Sequence, residues 1–265
     1  MMAERPKIGL ALGSGGAKGL AHIGVLQVLK ENKIPIDFIA GSSIGAVIGG
    51  FYAAGFSPQK IERIFLEIDR RQIFSLLFDP HLKQGLISGR KLEKFLENHL
   101  GSRKIEELQI PFAAIATDLK TGNPIIFRKG KLSAAMRASI AIPLIFKPVF
   151  WGNKILVDGG ISMPVPVRPL REMGAEIVLA VNLDNYHYNQ NSNFGLYNIA
   201  NSSLDILRYH LASANIKDAD VVINIKFEND ILFYEFKETK EKILVGRKES
   251  EAVLPQIQKL LKNFN

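Results

Sequence analysis

Within its first 55 residues the chain repeats one local pattern twice: an apolar run of strand length, a glycine-rich turn, and an apolar run of helix length. Lys7 to Leu12 leads into Gly13-Ser14-Gly15-Gly16-Ala17-Lys18-Gly19 and a helix starting near Leu20, whose apolar positions include Ile23, Leu26, Val28 and Leu29. Ile34 to Ala40 leads through Gly41-Ser42-Ser43-Ile44-Gly45 into a helix over Ala46 to Ala54, closed by Gly55. Two strand, turn and helix units in succession predict a parallel sheet with helices on its faces. The second unit lies inside a stretch of 22 residues without a charge, Phe38 to Gln59. That length could cross about 30 Å of hydrocarbon. Its glycines and serines read instead as a strand, a tight turn and a buried helix.

The remaining chain continues the alternation. Ser57-Pro58 opens a helix with Ile61, Ile64, Phe65 and Ile68 on one face, ended by Arg70 and Arg71. Phe74 to Phe78 is aromatic and aliphatic, and a further helix is expected from Ser88 to His99. Pro111 to Ala116 and Ile125 to Arg128 read as strands joined through Thr121-Gly122-Asn123. Pro143 to Pro169 holds five of the twelve prolines around the strand-like Ile155 to Val157 and Asp158-Gly159-Gly160, and reads as irregular but ordered. Glu176 to Leu183 is another buried strand. The segment from Asn185 opens as a mobile surface loop, before a helix over Leu196 to Lys217, a strand over Val221 to Lys226 and a terminal helix over Thr239 to Lys262. Neither a linker nor an internal repeat divides the chain, so a single domain over residues 1–265 is expected. Its core motifs span 8–183, with 196–265 packed on the same unit.

Composition narrows the chemistry. Hydrophobic residues make up 47% of the 265 residues and charged residues 23%, the balance of a globular protein. The formal charge of +8 favours anionic partners or simple solubility, and no basic run of the nucleic-acid type accompanies it. With no cysteine there is no thiolate nucleophile, disulfide framework or Cys-based metal site. Met1 to Lys7 carries no apolar signal core, which points to the cytoplasm.

Gly41-Ser42-Ser43-Ile44-Gly45 is a G-x-S-x-G pattern set between an apolar strand and an apolar helix, the context of a nucleophile elbow. Ser43 would then be exposed on a strained turn, at a helix N-terminus that favours developing negative charge. A serine needs a base. Of the five histidines, His22 reads as a packed helix residue, His81 and His99 lie in polar helix-end contexts, and only His187 and His210 follow Asp158 in the hydrolase order. Asp158 is the stronger candidate, because it ends a strand and precedes two glycines. A carboxylate there should project to the carboxyl edge of the sheet, beside Ser43. It could take the hydroxyl proton directly. The amides of Gly15 and Gly16 could stabilise an oxyanion. The glycine spacing misses the dinucleotide fingerprint, and the loop lacks the Gly-Lys-Ser/Thr of a P-loop.

Taken together, the Gly13 to Gly19 loop, the Ser43 elbow and Asp158-Gly159-Gly160 resemble the patatin-like phospholipase family, most closely its short bacterial-type members. The resemblance spans about residues 8 to 183, including Ala21-His22-Ile23-Gly24-Val25-Leu26 and the stretch from Ser139 to Pro148. It implies a three-layer α/β/α sandwich around a mainly parallel sheet. The implied activity is a serine lipid acyl hydrolase with Ser43 as nucleophile, Asp158 as general base and acid, and no metal or cofactor. Gly15 and Gly16 would form the oxyanion hole, with Gly13, Lys18, Gly19, Gly41, Gly45, Gly159 and Gly160 shaping the motifs. Ser14 stands where a glycine is common, and Lys18 where arginine is usual, which removes a planar fork. The implied partner is a lipid or acyl-ester substrate; peripheral contact with an anionic inner membrane surface, through Phe74 to Phe78 or Tyr186 to Tyr197, is left open, and a catalytically idle lipid-binding protein on the same fold is the alternative.

Overall fold

The centre of the fold is β1 (Ile8–Leu12), hydrogen-bonded in parallel to β2 (Phe38–Ser42) on one side and, later in the chain, to a strand over Ile177–Asn182 on the other. The structure is a computed structural model that describes residues 5–67, 87–185, 195–227 and 238–264. Between β1 and β2 runs α1 (Ala21–Glu31), and after β2 come α2 (Ile44–Ala53) and α3 (Pro58–Glu67). Then follow α4 (Arg90–Leu100), β3 (Phe112–Asp118), β4 (Pro124–Phe127), α5 (Leu132–Ser139), β5 (Val149–Trp151), β6 (Lys154–Asp158) and α6 (Val167–Glu172). β7 (Ile177–Asn182), α7 (Leu196–Asn215), β8 (Val221–Asn224) and α8 (Thr239–Asn263) complete the described elements. The sheet reads β5-β6-β3-β2-β1-β7-β8 by hydrogen-bonded neighbours, with β4 also on β3. β3, β2, β1, β7 and β8 are parallel, and β4, β5 and β6 are antiparallel additions. This is the expected three-layer, mainly parallel α/β arrangement.

The two faces of the sheet are unequal. Successive strand side chains point to opposite faces, and the large ones, Ile8, Leu10, Leu12, Ile39, Leu179, Val181 and Ile223, fall on one side beneath α1, α2, α5 and α8. The other side carries Ala11, Ala40, Ala113 and Ala180 beneath Val167 and Leu170 of α6 and Ala212 of α7. Small residues let the short α6 approach closely. A fully buried Leu or Ile contributes roughly 1.5–3 kcal/mol, so the large-residue face holds most of the apolar stabilisation.

The register around β3 fixes the position of the site. Ala114 and Ile115 pair with β2 and with β4, so those two strands flank β3 on opposite edges. Ala116 and Thr117 pair with β4 and with β6, which places β6 on the same edge as β2. β2 reaches only as far as Ser42, opposite Ile115, and β6 arrives from the other direction and stops at Asp158, opposite Ala116. The two strands therefore meet end to end along one edge of β3.

Several elements differ from expectation. β2 begins at Phe38 rather than Ile34 and runs on through Ser42. Asp37 consequently lies outside the strand, where it forms a bidentate pair with Arg5 at 2.7 and 2.8 Å and accepts the Ile8 amide at 2.7 Å. α5 was not anticipated, since its eight residues give only two turns of periodicity. α6 forms within the proline-rich stretch because Pro169 occupies its first turn, where no amide needs an intrahelical acceptor. Asp158 ends β6, which runs against the parallel strands and reaches only to the level of Ala116, one residue past the Ile115 that faces Ser42; the carboxylate therefore lies beside Ser43 at the carboxyl end of β2, as expected, although its strand arrives there from the opposite direction. Phe74 to Phe78 and Tyr186 to Phe194 lie outside the described residues. Phe38 to Gln59 resolves into β2, α2 and the start of α3, and no described helix is long and apolar enough to cross a membrane.

C-terminal α8 packs on α1 with direct backbone contact. A Cβ on Gly24 would lie 2.1 Å from the Ile243 carbonyl oxygen, and one on Gly246 would lie 2.0 Å from that of Ala21. Arg247 clamps the crossing with two 2.7 Å hydrogen bonds to Glu31. Gly246→Ala is expected to destabilise the protein by at least about 1–3 kcal/mol, the usual cost of overpacking, read as a lower urea midpoint. An unchanged midpoint would contradict the close crossing.

Candidate active site

Ser43 lies at the junction between β2 and α2, with φ 54° and ψ −125°. A non-glycine residue in this region carries strain of about 1–3 kcal/mol. The surroundings enforce it: the elbow is wedged so tightly against β1 that a Cβ on Gly45 would lie 2.1 Å from the Leu12 carbonyl oxygen. A Cβ on Gly41 would lie 2.4 Å from the Gly45 carbonyl oxygen. The Ser43 carbonyl accepts the amide of Ala46 at 2.9 Å and starts α2, while its own amide donates to Ser139 Oγ at 2.9 Å. Ser139, at the end of α5, thus helps to hold the turn.

Ser43 Oγ donates to Asp158 Oδ2 at 2.6 Å. The other carboxylate oxygen accepts the Gly160 amide at 2.7 Å. The backbone of Asp158 is held as well, its amide donating to the Ala141 carbonyl at 3.0 Å and its carbonyl accepting Thr117 Oγ1 at 2.8 Å. Ser43 is 4% exposed and Asp158 6%, so the carboxylate has little access to water. Burial raises its pKa from the usual carboxylate range to about 6, against the opposing effects of the Ser43 and Gly160 hydrogen bonds. A hydroxyl and a carboxylate so joined can exchange a proton without an intervening histidine.

The glycine loop borders this pair. Gly13 and Ser14 commit their amides to the carbonyls of Val181, at 3.1 Å, and Pro164, at 2.8 Å. Gly15 at φ 156° and Gly16 at φ 56° lead into a 3-10 turn, and their amides have no acceptor among the described residues. Gly19 lets Ile44, the residue after the serine, pack against the loop: a Cβ there would lie 2.2 Å from Ile44 Cγ2. Beneath the loop, His22 Nε2 donates to the Gly13 carbonyl at 2.8 Å. Burial lowers the pKa of His22 to about 4, so it stays neutral and acts as a strut. Lys18 is half-buried and has no ion pair among the described residues.

The other histidines stand apart from the pair where they are described. His99 bonds the Phe95 carbonyl within α4, and His210 is exposed on α7 beside Tyr209. His81 and His187 lie outside the described residues. Gly159 and Gly160 form a tight turn after Asp158, packed against Ile115 and Ser14. Two polar contributors escaped sequence reasoning, Ser139 and Asp184. Asp184 lies two residues beyond the end of β7 and is 5% exposed, accepting from Ser14 Oγ at 3.2 Å. Asp184 shares with Asp158 its place after an expected strand, Glu176 to Leu183, but not the two glycines that follow Asp158. Among the described residues, no group of three or more histidines and carboxylates is arranged to hold a metal ion.

Comparisons with known proteins bear on the family and the fold. The family model of patatin-like phospholipases matches residues 10–171. An uncharacterised NTE family protein of Mycobacterium tuberculosis is 43% identical over 183 residues, covering 69% of this chain and 50% of that protein. A lysophospholipase NTE1 of Cryptococcus neoformans is 34% identical over 185 residues, covering 67% of this chain and 11% of that protein. This chain thus spans half the length of the mycobacterial relative and a small part of the fungal one. Among solved structures, VipD from Legionella pneumophila superposes with a TM-score of 0.55 at 12% identity, covering 96% of this chain and 67% of that one. That likeness concerns the fold.

The buried carboxylate carries a stability cost with a definite pH signature. Asp158 has a folded pKa of about 6, above the unfolded value of about 3.9, so its ionisation disfavours the folded state. The penalty, about 3 kcal/mol, is complete above pH 6 and disappears as pH falls toward 4. Asp158→Asn is therefore expected to be more stable than wild type at pH 8 by up to that amount, with the advantage shrinking below pH 6 in urea titrations. A variant less stable than wild type at pH 8 would contradict the burial.

Proposed function

The chain belongs to the patatin-like phospholipase family, and from that premise we propose that it is a serine lipid acyl hydrolase working through Ser43 and Asp158. The observation that carries this reading is the 2.6 Å hydrogen bond from Ser43 Oγ to the buried Asp158 carboxylate. Asp158 Oδ2 takes the hydroxyl proton as Oγ forms a bond to the ester carbonyl carbon. The resulting oxyanion is received by the amides of Gly15 and Gly16, each such donor contributing about 3–4 kcal/mol in comparable sites. As the tetrahedral intermediate collapses, the ester C–O bond breaks and Asp158 returns the proton to the leaving alcohol. Water then attacks the acyl-enzyme, Asp158 takes one of its protons, and the departing Ser43 oxygen recovers it. A base with a pKa of about 6 suits a reaction near neutral pH.

The substrate class follows the family: carboxylic esters of phospholipids, lysophospholipids or related acylglycerols. Support for the lysophospholipid end of that range comes from the relative named a lysophospholipase, of which this chain matches a small part. We read residues 1–265 as one working unit, supported by the contact of α8 with α1 directly behind the glycine loop. The net charge of +8 supports peripheral attraction to anionic lipid. Sedimentation with anionic vesicles should rise with anionic lipid content and fall with salt; salt-independent sedimentation would count against that contact.

The test of the chemistry is ester hydrolysis by wild type, Ser43→Ala and Asp158→Asn, each confirmed folded, on a short chromogenic ester, a phospholipid and a lysophospholipid. Each substitution is expected to lower kcat at least about 10³-fold, as when a nucleophile or its base is removed from a concerted unit. A variant that matches an active wild type would reject that residue's role.

A further inference from the structure

Beyond the serine and its base, the structure contains a second buried carboxylate beside the site, and an arginine brought to it by a helix outside the 10–171 family match. Asp184 accepts Ser14 Oγ at 3.2 Å through Oδ2 and Arg208 Nε at 2.5 Å through Oδ1. Arg208 belongs to α7, is itself 30% exposed at the side chain, and also pairs with Asp205 at 3.0 Å. It is the one Lys or Arg between Leu196 and Asn215. The Asp184 amide donates to Asn182 Oδ1 at 3.1 Å, and Asn182 Nδ2 donates in turn to Asn224 Oδ1 at 2.9 Å, tying the carboxylate to the ends of β7 and β8.

This cluster reaches the proposed base through Ser14. A Cβ on Gly160 would lie 2.9 Å from both Cβ and Oγ of Ser14, so the two residues are in contact. Gly160 is the residue whose amide holds Asp158 Oδ1. Resting on the proposed hydrolase reading, we propose that Arg208 is a positioning residue for the Ser43–Asp158 pair: from α7 it neutralises Asp184 and holds that carboxylate, with Ser14 of the glycine loop, against the turn that orients the base. Serine at position 14, in place of the glycine common in such loops, supplies the hydroxyl that joins loop and carboxylate.

The electrostatics point the same way. The charged groups that act on Asp158 are Arg208, which favours its ionised form, and Asp184, which opposes it. The neutral groups around it are the Ser43 hydroxyl from the elbow, the Gly160 amide and, at its backbone carbonyl, Thr117 from β3. Asp184 in turn holds Arg208 firmly protonated. Without Arg208 the base would face an uncompensated carboxylate, retain its proton to higher pH and be less available to accept one from Ser43.

The two charges make opposite predictions that can be measured without turnover. In full-length protein with carboxyl-labelled aspartate, the Asp158 resonance is identified by its loss in Asp158→Asn and titrated by NMR. Arg208→Gln should raise its midpoint by on the order of one pH unit, Arg208→Lys should restore most of the difference, and Asp184→Asn should lower the midpoint below that of wild type. Shifts of the same sign for Arg208→Gln and Asp184→Asn, or no shift, would overturn the proposal. If Arg208→Gln fails to fold, Asp184→Asn decides alone, because it leaves no buried carboxylate unpaired and keeps Asp205 as a partner for the arginine. The acid limb of kcat/KM on a short ester should move in the same order. Hydrolysis absent in wild type, with the NMR shifts as predicted, would reject the hydrolase reading and leave the coupling of Arg208 to Asp158 standing.

Discussion

The whole arrangement depends on one shared edge. β3 is longer than the strand beside it, and the length that β2 leaves unpaired is taken by β6 arriving from the opposite direction. A strand edge can satisfy one partner at each residue, so two strands on one edge must stop where they meet. Ser43 follows the last residue of β2 and Asp158 is the last residue of β6. The backbone ladder thus delivers the two side chains to one point from segments 115 residues apart in the chain. The 2.6 Å contact between them is a consequence of register, with the elbow and the Asp-Gly-Gly turn supplying the final orientation.

Several features of this junction are unfavourable when considered alone. Ser43 holds a strained backbone, Asp158 sits in an environment that disfavours its charge, and Asp184 adds a second buried carboxylate nearby. Each is offset by something specific: helix α2 packs the elbow into place, Gly160 and Ser43 share the Asp158 oxygens, and Arg208 answers Asp184. Native proteins retain about 5–15 kcal/mol of net stability, so such local costs are supportable only on a rigid sheet with an extensive apolar face. The unequal faces of this sheet meet that need, with most helices gathered over the side of large residues.

Much of this was legible in the sequence because local chemistry leaves local marks. The two strand, turn and helix units, the elbow serine and the strand-end aspartate were all identifiable from short spacings. The parts that were not legible depend on partners remote in the chain. Nothing near Lys154 to Asp158 reveals that this strand runs antiparallel; Asp158 stands at the carboxyl end of β2, as expected, but its strand reaches that point from the opposite direction. Asp37 looked like an interior strand residue because hydrophobic runs mark burial better than boundaries; its pairing with Arg5 across 32 residues is what places it outside. Ser139 and Arg208 each matter through a single contact with a distant element, and a lone arginine in a nearly uncharged helix was the only sign of the latter.

Covalent trapping of the nucleophile tests the central claim most directly. The protein would be treated with a fluorophosphonate and the adduct located by peptide mass mapping, across pH 5 to 8 and in Asp158→Asn. The account predicts one adduct per chain, on Ser43, forming more slowly below about pH 6, where the buried carboxylate gains its proton, and much more slowly in the variant. An adduct on another residue, or one on Ser43 that forms equally fast without the Asp158 carboxylate, would contradict it.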